Sequence, residues 1–174
     1  NTSSAASDVY KRQQTQFELM NLQSELNMTF IVVTHDQEEA MTLSSRIALM
    51  NKGEFIQIGS PSQIYETPIN RYTADFFGSI NFFDGEIISQ DQKTKKTIAK
   101  LQSCNSFIYG QSNQQFDTKD AVIIGVRPEK IAINVKKPLD NEVSVIEGKI
   151  EGLAYYGDRN LYRVRTEKHG IILA

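Results

Sequence analysis

The sequence lacks several features that mark particular classes of protein. It has one cysteine, Cys104, so an internal disulfide is excluded and a metal site built from cysteines is not expected. No apolar run is long enough to cross a membrane, and no secretory signal precedes the first helix. The 19 basic and 21 acidic residues give a net charge of −2, which argues against nucleic-acid binding. These absences favour an ordinary cytoplasmic globular protein.

The first structured region predicts half of an α/β repeat. Apolar residues spaced three and four apart over 14–26 indicate an amphipathic helix that packs on a sheet. The apolar, β-branched run that follows at Thr29–Val33 is typical of a strand buried on both faces of a parallel sheet. Residues 1–13 are small and polar and resemble a leader that derives from adapter DNA. We therefore expect them to be non-native or disordered, with the native sequence beginning near Gln14.

His35 follows that predicted strand and precedes a predicted helix. Either Thr34 with Gln37, or Asp36 with Glu39, has the spacing of a capping box. Position alone places His35 where α/β proteins bind ligands, beyond a strand end and beside a helix N-terminus. A histidine at such a position is nevertheless more often a structural hydrogen-bonding residue than a ligand.

The string VTHDQEEAM around this histidine is similar to one segment of a known family. It resembles the switch-histidine segment of ABC-transporter ATPase subunits, from importers of sugars, polyamines and similar solutes. The resemblance implies that His35 is both a catalytic and a nucleotide-binding residue, which senses the γ-phosphate of ATP.

The rest of the region up to Gly78 extends this resemblance. Residues 46–58 predict a β-hairpin around an Asn-Lys-Gly turn. Ser60 and Pro61 predict the start of a short helix through Tyr65, and Asn70 predicts the cap of another that ends at Gly78. Together, residues 14–78 resemble the last third of an ABC ATPase domain.

After Gly78 the pattern changes to short strands separated by turns, which predicts an all-β barrel or sandwich over residues 79–174. The expected strands are Phe82–Ile88, Thr97–Leu101, Ser106–Tyr109, Ala121–Val126, Lys130–Val135, Val143–Ala154, Leu161–Thr166 and Gly170–Leu173. The strings GVRPEKIAI and YYGDRNLYRV resemble the TOBE domain, an OB-like barrel attached to importer ATPases. FGSINFF at the junction resembles the polyamine-importing members. Because the last strand ends abruptly, we expect the barrel to be incomplete.

The resemblance implies the C-terminal part of an α/β ABC ATPase domain followed by the TOBE barrel. It further implies ATP and Mg²⁺ as cofactors, a homodimer of ATPase subunits, membrane subunits as partners, and a peripheral position on the cytoplasmic face of the membrane. The sequence contains no GxxxxGKS/T loop, no LSGGQ-like signature and no apolar strand ending in Asp-Glu. We therefore expect this chain alone not to hydrolyse ATP.

Other chemical groups admit simpler interpretations. Glu38 and Glu39 are adjacent on a helix and point about 100° apart, so the helix dipole explains them better than acid–base chemistry. Arg127 is interpreted as a structural residue of a turn, with an interface or effector role as the alternative. His169 is expected to be exposed and without a role. No metal-ligating residues are predicted.

Three tyrosines, Tyr155, Tyr156 and Tyr162, could form a base-stacking platform in an OB-like barrel. No basic groove accompanies them, so packing in a core or interface is favoured.

A second functional class is a stand-alone OB-like binding or regulatory module without ATPase activity. The α/β sequence in front of the barrel argues against that alternative.

Overall fold

The computed structural model describes residues 14–15, 17–103, 106–138 and 143–174. Helix α1 covers residues 17–26 in this range, and three shorter helices follow: α2 (Gln37–Leu43), α3 (Pro61–Glu66) and α4 (Arg71–Phe76). The described residues also contain nine strands: β1 (Ile47–Asn51), β2 (Glu54–Gly59), β3 (Asn81–Gln90), β4 (Lys96–Leu101), β5 (Phe107–Gln111), β6 (Ala121–Val126), β7 (Lys149–Tyr155), β8 (Asn160–Thr166) and β9 (Gly170–Leu173). The predicted leader and Cys104 lie outside the described residues.

The chain separates into two compact units, divided between Ile69 and Asn70. In the first unit, β1 and β2 form an antiparallel hairpin whose turn contains Gly53 at φ 84°. Helix α3 packs against β2, with Ile64 fully buried. The hairpin confirms the prediction for residues 46–58, because the turn needs the positive φ that glycine adopts without strain.

Local capping signals place α3 and α4. Ser60 and Gln63 form a reciprocal capping box at the start of α3, and Pro61 occupies its first turn. At α4, the Asn70 side chain accepts a hydrogen bond of 2.9 Å from the backbone of Thr73. Both predicted helix starts are thus confirmed, since these short polar side chains satisfy backbone donors that a helix leaves unpaired.

The second unit contains two antiparallel sheets. One has the strand order β5-β4-β3-β6, and the other has the order β7-β8-β9. Phe83, Leu101 and Ile172 form a buried cluster that draws on both sheets. The predicted β-rich region is therefore confirmed, and its core lies where the two sheets contribute apolar side chains.

Two of the predicted strands in this unit are wrong in whole or in part. The segment predicted as Lys130–Val135 begins at the last residue of a 3-10 helix, Pro128–Lys130, and contains no strand. Of the segment predicted as Val143–Ala154, only the part from Lys149 pairs with a neighbour. Apolar content misled the prediction here, because a strand also needs a partner for its backbone groups.

The predicted strand Thr29–Val33 is also absent from the structure. Ile31 and Val33 are 90% and 96% exposed, and no described strand pairs with this segment. The apolar side chains of α1 are likewise exposed, so the expected packing of this helix on a sheet is not observed among the described residues. A buried parallel strand requires neighbours on both edges and both faces, and the described strands form only antiparallel sheets.

Candidate functional site

The predicted site residue His35 lies at a bend immediately before α2 and is exposed. The residue after it, Asp36, is the N-cap of that helix. Its Oδ1 atom accepts hydrogen bonds of 3.0 Å from the backbone N–H of Glu38 and 3.1 Å from that of Glu39. Asp36 rather than Thr34 is thus the N-cap, because its side chain satisfies two donors at the helix start. The predicted capping box is only half formed, since the Glu39 side chain bonds to Thr34 and the backbone N–H of Asp36 bonds to the Thr34 hydroxyl.

Thr34, on the other side of His35, also has a fixed position. Its Oγ1 atom accepts a 3.0 Å hydrogen bond from the backbone N–H of Asp36. The same hydroxyl donates a 2.7 Å hydrogen bond to Oε2 of Glu39. The backbone is therefore held on both sides of His35, while the imidazole remains open to solvent and to a partner molecule.

The two carboxylates of this helix do not form a catalytic pair. Glu39 binds Thr34, whereas Glu38 is exposed, and its backbone carbonyl accepts a 2.7 Å bond from Thr42 Oγ1. Within the described ranges, no group of three His, Cys, Asp or Glu side chains is placed to hold a metal ion. Glu39 is therefore engaged in a local hydrogen bond and is not paired with Glu38 for acid–base chemistry.

Arg127 is a buried structural residue in the second unit. Only 5% of it is exposed, and its Nη1 atom donates hydrogen bonds of 2.9 Å to the carbonyl of Gly78 and 3.2 Å to that of Ser79. These contacts agree with the interpretation of Arg127 as a structural residue. They join the end of β6 to the segment between α4 and β3.

His169 is not the exposed, uninvolved residue that the sequence suggested. Its Nδ1 atom lies 2.9 Å from Ser103 Oγ, and its ring meets Phe83 edge to face at 5.2 Å between centroids. Burial, followed by the nearby charge of Lys168, lowers the pKa of this imidazole below its usual value. The prediction failed because these contacts link residues far apart in sequence.

The three tyrosines do not act as one group. Tyr155 and Tyr156 are 75% and 59% exposed, so core packing does not account for either. Tyr162 is partly buried in β8, where its backbone pairs with that of Ala174 at 2.7 and 3.0 Å. Arg159 lies over the Tyr156 ring at 5.6 Å from its centroid.

The second unit contains a cavity of about 650 Å³ beside β7 and β8, which the sequence did not predict. Its lining includes Lys149, Arg165, Lys168 and His169. These residues come from two strands and a turn, so only the strand register brings them together. The separate basic residues gave no indication of a common site.

The comparison with protein families assigns a class to the β-rich unit. Residues 124–174 match the TOBE domain family. This range begins in β6 and includes the whole β7-β8-β9 sheet. The match confirms the family resemblance that was predicted from GVRPEKIAI and YYGDRNLYRV.

Similarity to individual proteins extends over nearly the whole chain. It is 40% identical over 162 residues to the spermidine/putrescine import ATP-binding protein PotA of Thermobifida fusca, covering 92% of this chain and 41% of that protein. It is 36% identical over 169 residues to the putrescine transport ATP-binding protein PotG of Escherichia coli, covering 97% and 44%. The PotA protein of Trichormus variabilis is 38% identical over 162 residues, covering 92% and 42%.

The chain therefore corresponds to the C-terminal region of ABC importer ATP-binding subunits, as the sequence predicted. It spans less than half the length of the curated relatives that it matches. None of the helices in the described part of the chain is both long and apolar enough to cross a membrane.

Proposed function

We propose that this chain is part of an ATP-binding subunit that energises solute import through ATP hydrolysis in a dimer, with a polyamine as the favoured solute. The observation that carries the proposal is the similarity to polyamine import ATP-binding proteins over more than nine-tenths of the chain. The TOBE match supports the same assignment, since the sequence signals for that barrel and for the ATPase occur in one chain.

In this proposal His35 senses the γ-phosphate of ATP. An exposed imidazole suits that task, and the bonds of Thr34 and Asp36 fix the backbone on either side of it. A hydrogen bond to a charged oxygen contributes roughly 1.5–3 kcal/mol, which is too little to hold a nucleotide alone. ATP and Mg²⁺ therefore need groups beyond those of this chain, and the chain by itself is expected to be inactive.

The exposed apolar surface of the first unit supports a larger α/β domain. Phe17 and Leu26 of α1 are 68% and 53% exposed. Ile31 and Val33, in the segment after this helix, are 90% and 96% exposed. Leaving such side chains in water costs roughly 1.5–3 kcal/mol each relative to burial. In the complete subunit, residues 14–78 would belong to the ATPase domain, and a sheet would cover this surface.

Residues 79–174, which make up most of the second unit, would then form the regulatory OB-like barrel. Through the complete ATPase domain, the subunit would pair with a second copy and bind the membrane subunits of the transporter. Its position would be peripheral, on the cytoplasmic face of the membrane. Nucleic acid is not among the proposed partners.

A chimeric subunit tests this proposal. Residues 14–174 replace the corresponding C-terminal region of the Thermobifida fusca relative, and ATP-dependent spermidine uptake is measured in vesicles that contain its membrane subunits. We expect the chimera to transport. We expect His35→Ala to reduce transport by about a hundredfold, since it removes a group that acts on developing phosphate charge.

The matched control is Gln37→Ala, which changes an exposed residue in the first turn of α2. It should retain transport within about twofold, as expected for an exposed substitution that leaves His35 and the Asp36 cap in place. Normal transport by the His35→Ala chimera would overturn the role of His35. An assembled, folded chimera that neither binds nor hydrolyses ATP would overturn the wider assignment.

A further inference from the structure

The cavity beside β7 and β8 is more basic than the protein as a whole. Four cationic side chains line it, against the carboxylates of Glu147 and Glu167, whereas the chain carries a net charge of −2. The cations are Lys137, Lys149, Arg165 and Lys168. A concave surface lined mainly by one sign of charge concentrates ligands of the opposite sign.

Two of these cations are forced together by the strand register. Lys149 of β7 and Arg165 of β8 are directly opposed in the antiparallel ladder. Opposed residues share a face of the sheet, and like charges in that arrangement are destabilising. A bound anion would remove this repulsion, so the arrangement suits a site that is complete only when a ligand is present.

A carboxylate outside the cavity lining, Glu151, only partly neutralises these cations. Glu151 lies where the register shifts between Ile150 and Gly152, and it forms an ion pair with Arg165. The hydrogen bond from Arg165, together with the charges of Arg165, Arg163 and Lys149, lowers the pKa of Glu151. Glu147, Glu151 and Glu167 are thus three carboxylates against the four lining cations and Arg163, which leaves local positive charge for an anion.

The dimensions and lining of the cavity indicate the kind of anion. Pockets for small organic ligands have volumes of roughly 300–1,000 Å³, a range that includes this cavity. Val145 and Ile146 add apolar side chains to the lining. Arginine binds phosphate oxygens with two parallel hydrogen bonds, and several cations together favour a dianion over a single carboxylate.

We propose that this cavity binds a small phosphorylated metabolite, with its phosphate group against Lys149, Arg165 and Lys168 and its organic part toward Val145 and Ile146. Such a site would let the β-rich unit respond to the metabolic state of the cell. It does not depend on the role assigned to His35, because its residues all belong to the second unit.

Isothermal titration calorimetry on the full chain tests this proposal. The probes are glucose 6-phosphate, fructose 1,6-bisphosphate and AMP, compared with glucose and inorganic phosphate. We expect saturable binding of at least one phosphorylated compound, none of glucose, and weaker binding of inorganic phosphate. Absence of saturable binding by all three phosphorylated compounds would overturn the proposal, as would equally tight binding of inorganic phosphate.

Variants locate the binding. Lys168→Gln and Arg165→Gln should each raise Kd by about tenfold, because each removes a charge-assisted contact to phosphate. The matched control is Lys100→Gln, an exposed residue of β4 outside the cavity lining. An equal rise in Kd for this control would show diffuse surface attraction and overturn the site.

Glu151→Gln provides a test in the opposite direction. It removes the carboxylate that competes with a bound anion for Arg165 and leaves the volume of the side chain almost unchanged. We expect the Kd of the phosphorylated compound to fall by about threefold, because Arg165 no longer has to give up a partly solvated ion pair when the phosphate binds. An increased Kd, with the circular dichroism spectrum unchanged, would contradict the contact between Arg165 and phosphate.

Discussion

Asn81 and Leu173 are 92 residues apart in sequence and join the two sheets of the second unit through a pair of hydrogen bonds. The Nδ2 atom of Asn81 donates to the Leu173 carbonyl at 2.8 Å, and its Oδ1 atom accepts from the Leu173 N–H at 2.8 Å. The same Nδ2 atom also donates to the carbonyl of Val126 at 3.1 Å. The buried carboxamide of Asn81 thus links β3 to β9 by bonding to both backbone groups of Leu173, as a neighbouring strand would.

Replacing this carboxamide should destabilise the second unit strongly. Asn81→Ala removes three hydrogen bonds at a residue that is 7% exposed and leaves buried backbone groups without their partner. At about 1 kcal/mol per bond, we expect the free energy of unfolding to fall by about 3 kcal/mol. Urea unfolding followed by circular dichroism measures the change.

Asn134→Ala is the control for this substitution, because Asn134 is exposed and lies outside the strands. It should change the free energy of unfolding by less than about 0.5 kcal/mol. If both variants unfolded at the same urea concentration, the link between the sheets would contribute nothing to stability.

Arg127 should be more sensitive to substitution than the exposed arginines. Arg127→Met keeps much of the apolar stem but removes the hydrogen bonds to the carbonyls of Gly78 and Ser79. Because bonds from a charged donor contribute about 1.5–3 kcal/mol, we expect a loss of about 3 kcal/mol in the free energy of unfolding. Thermal and urea unfolding provide the measurement.

Arg159→Gln is the matched control for Arg127→Met. Arg159 and Asp158 lie 4.0 Å apart with side chains that are 74% and 75% exposed, so their ion pair is solvated. A loss below about 1 kcal/mol is expected for such a pair. A similar loss in the two variants would mean that burial of Arg127 adds no stability.

Much of the local structure could be predicted from short segments because its causes are local. Gly53 permits the hairpin turn, and Ser60 and Asn70 satisfy donors within three residues of themselves. These interactions involve few residues and do not depend on distant parts of the chain. The family resemblance was carried by segments of the same kind.

The features that the sequence did not reveal depend on distant partners. Thr29–Val33 has the composition of a buried strand, yet a strand forms only where another offers its backbone groups. The contact of His169 with Phe83, and the opposition of Lys149 and Arg165, arise only after the sheets form. The basic cavity was therefore beyond prediction from residue types, whereas the turn containing His35 was predictable.

The capping box of α3 offers a local test of these interactions. Ser60 Oγ accepts a 3.2 Å hydrogen bond from the N–H of Gln63, and Gln63 Oε1 accepts a 2.9 Å bond from the N–H of Ser60. Ser60→Ala should therefore lower the free energy of unfolding of the first unit by about 1 kcal/mol.

Ser62→Ala controls for the loss of a hydroxyl within the same helix, since Ser62 is exposed and is not the N-cap. Hydrogen exchange of the amides in α3 reports the change directly. We expect faster exchange in Ser60→Ala and unchanged or slower exchange in Ser62→Ala, because alanine favours helix interiors. The reverse order would contradict the assigned cap.

His169 should make the second unit less stable in mild acid. Burial and Lys168 lower the pKa of its imidazole, whose usual value is 6.5, so the unfolded chain binds a proton more readily than the folded chain. The resulting stabilisation is fully present above pH 6.5 and is lost as the pH falls toward the lowered pKa. Melting temperatures measured between about pH 5 and pH 8, where histidine titrates, should fall on the acidic side.

His169→Gln separates this effect from the titration of other groups. Glutamine keeps a polar side chain beside Ser103 but cannot take up a proton in this range. The variant should be less stable at neutral pH, because it loses the edge-to-face contact with Phe83, and its stability should vary less between pH 7.5 and pH 5.5. An unchanged pH dependence would show that the imidazole is not the group whose protonation destabilises the fold.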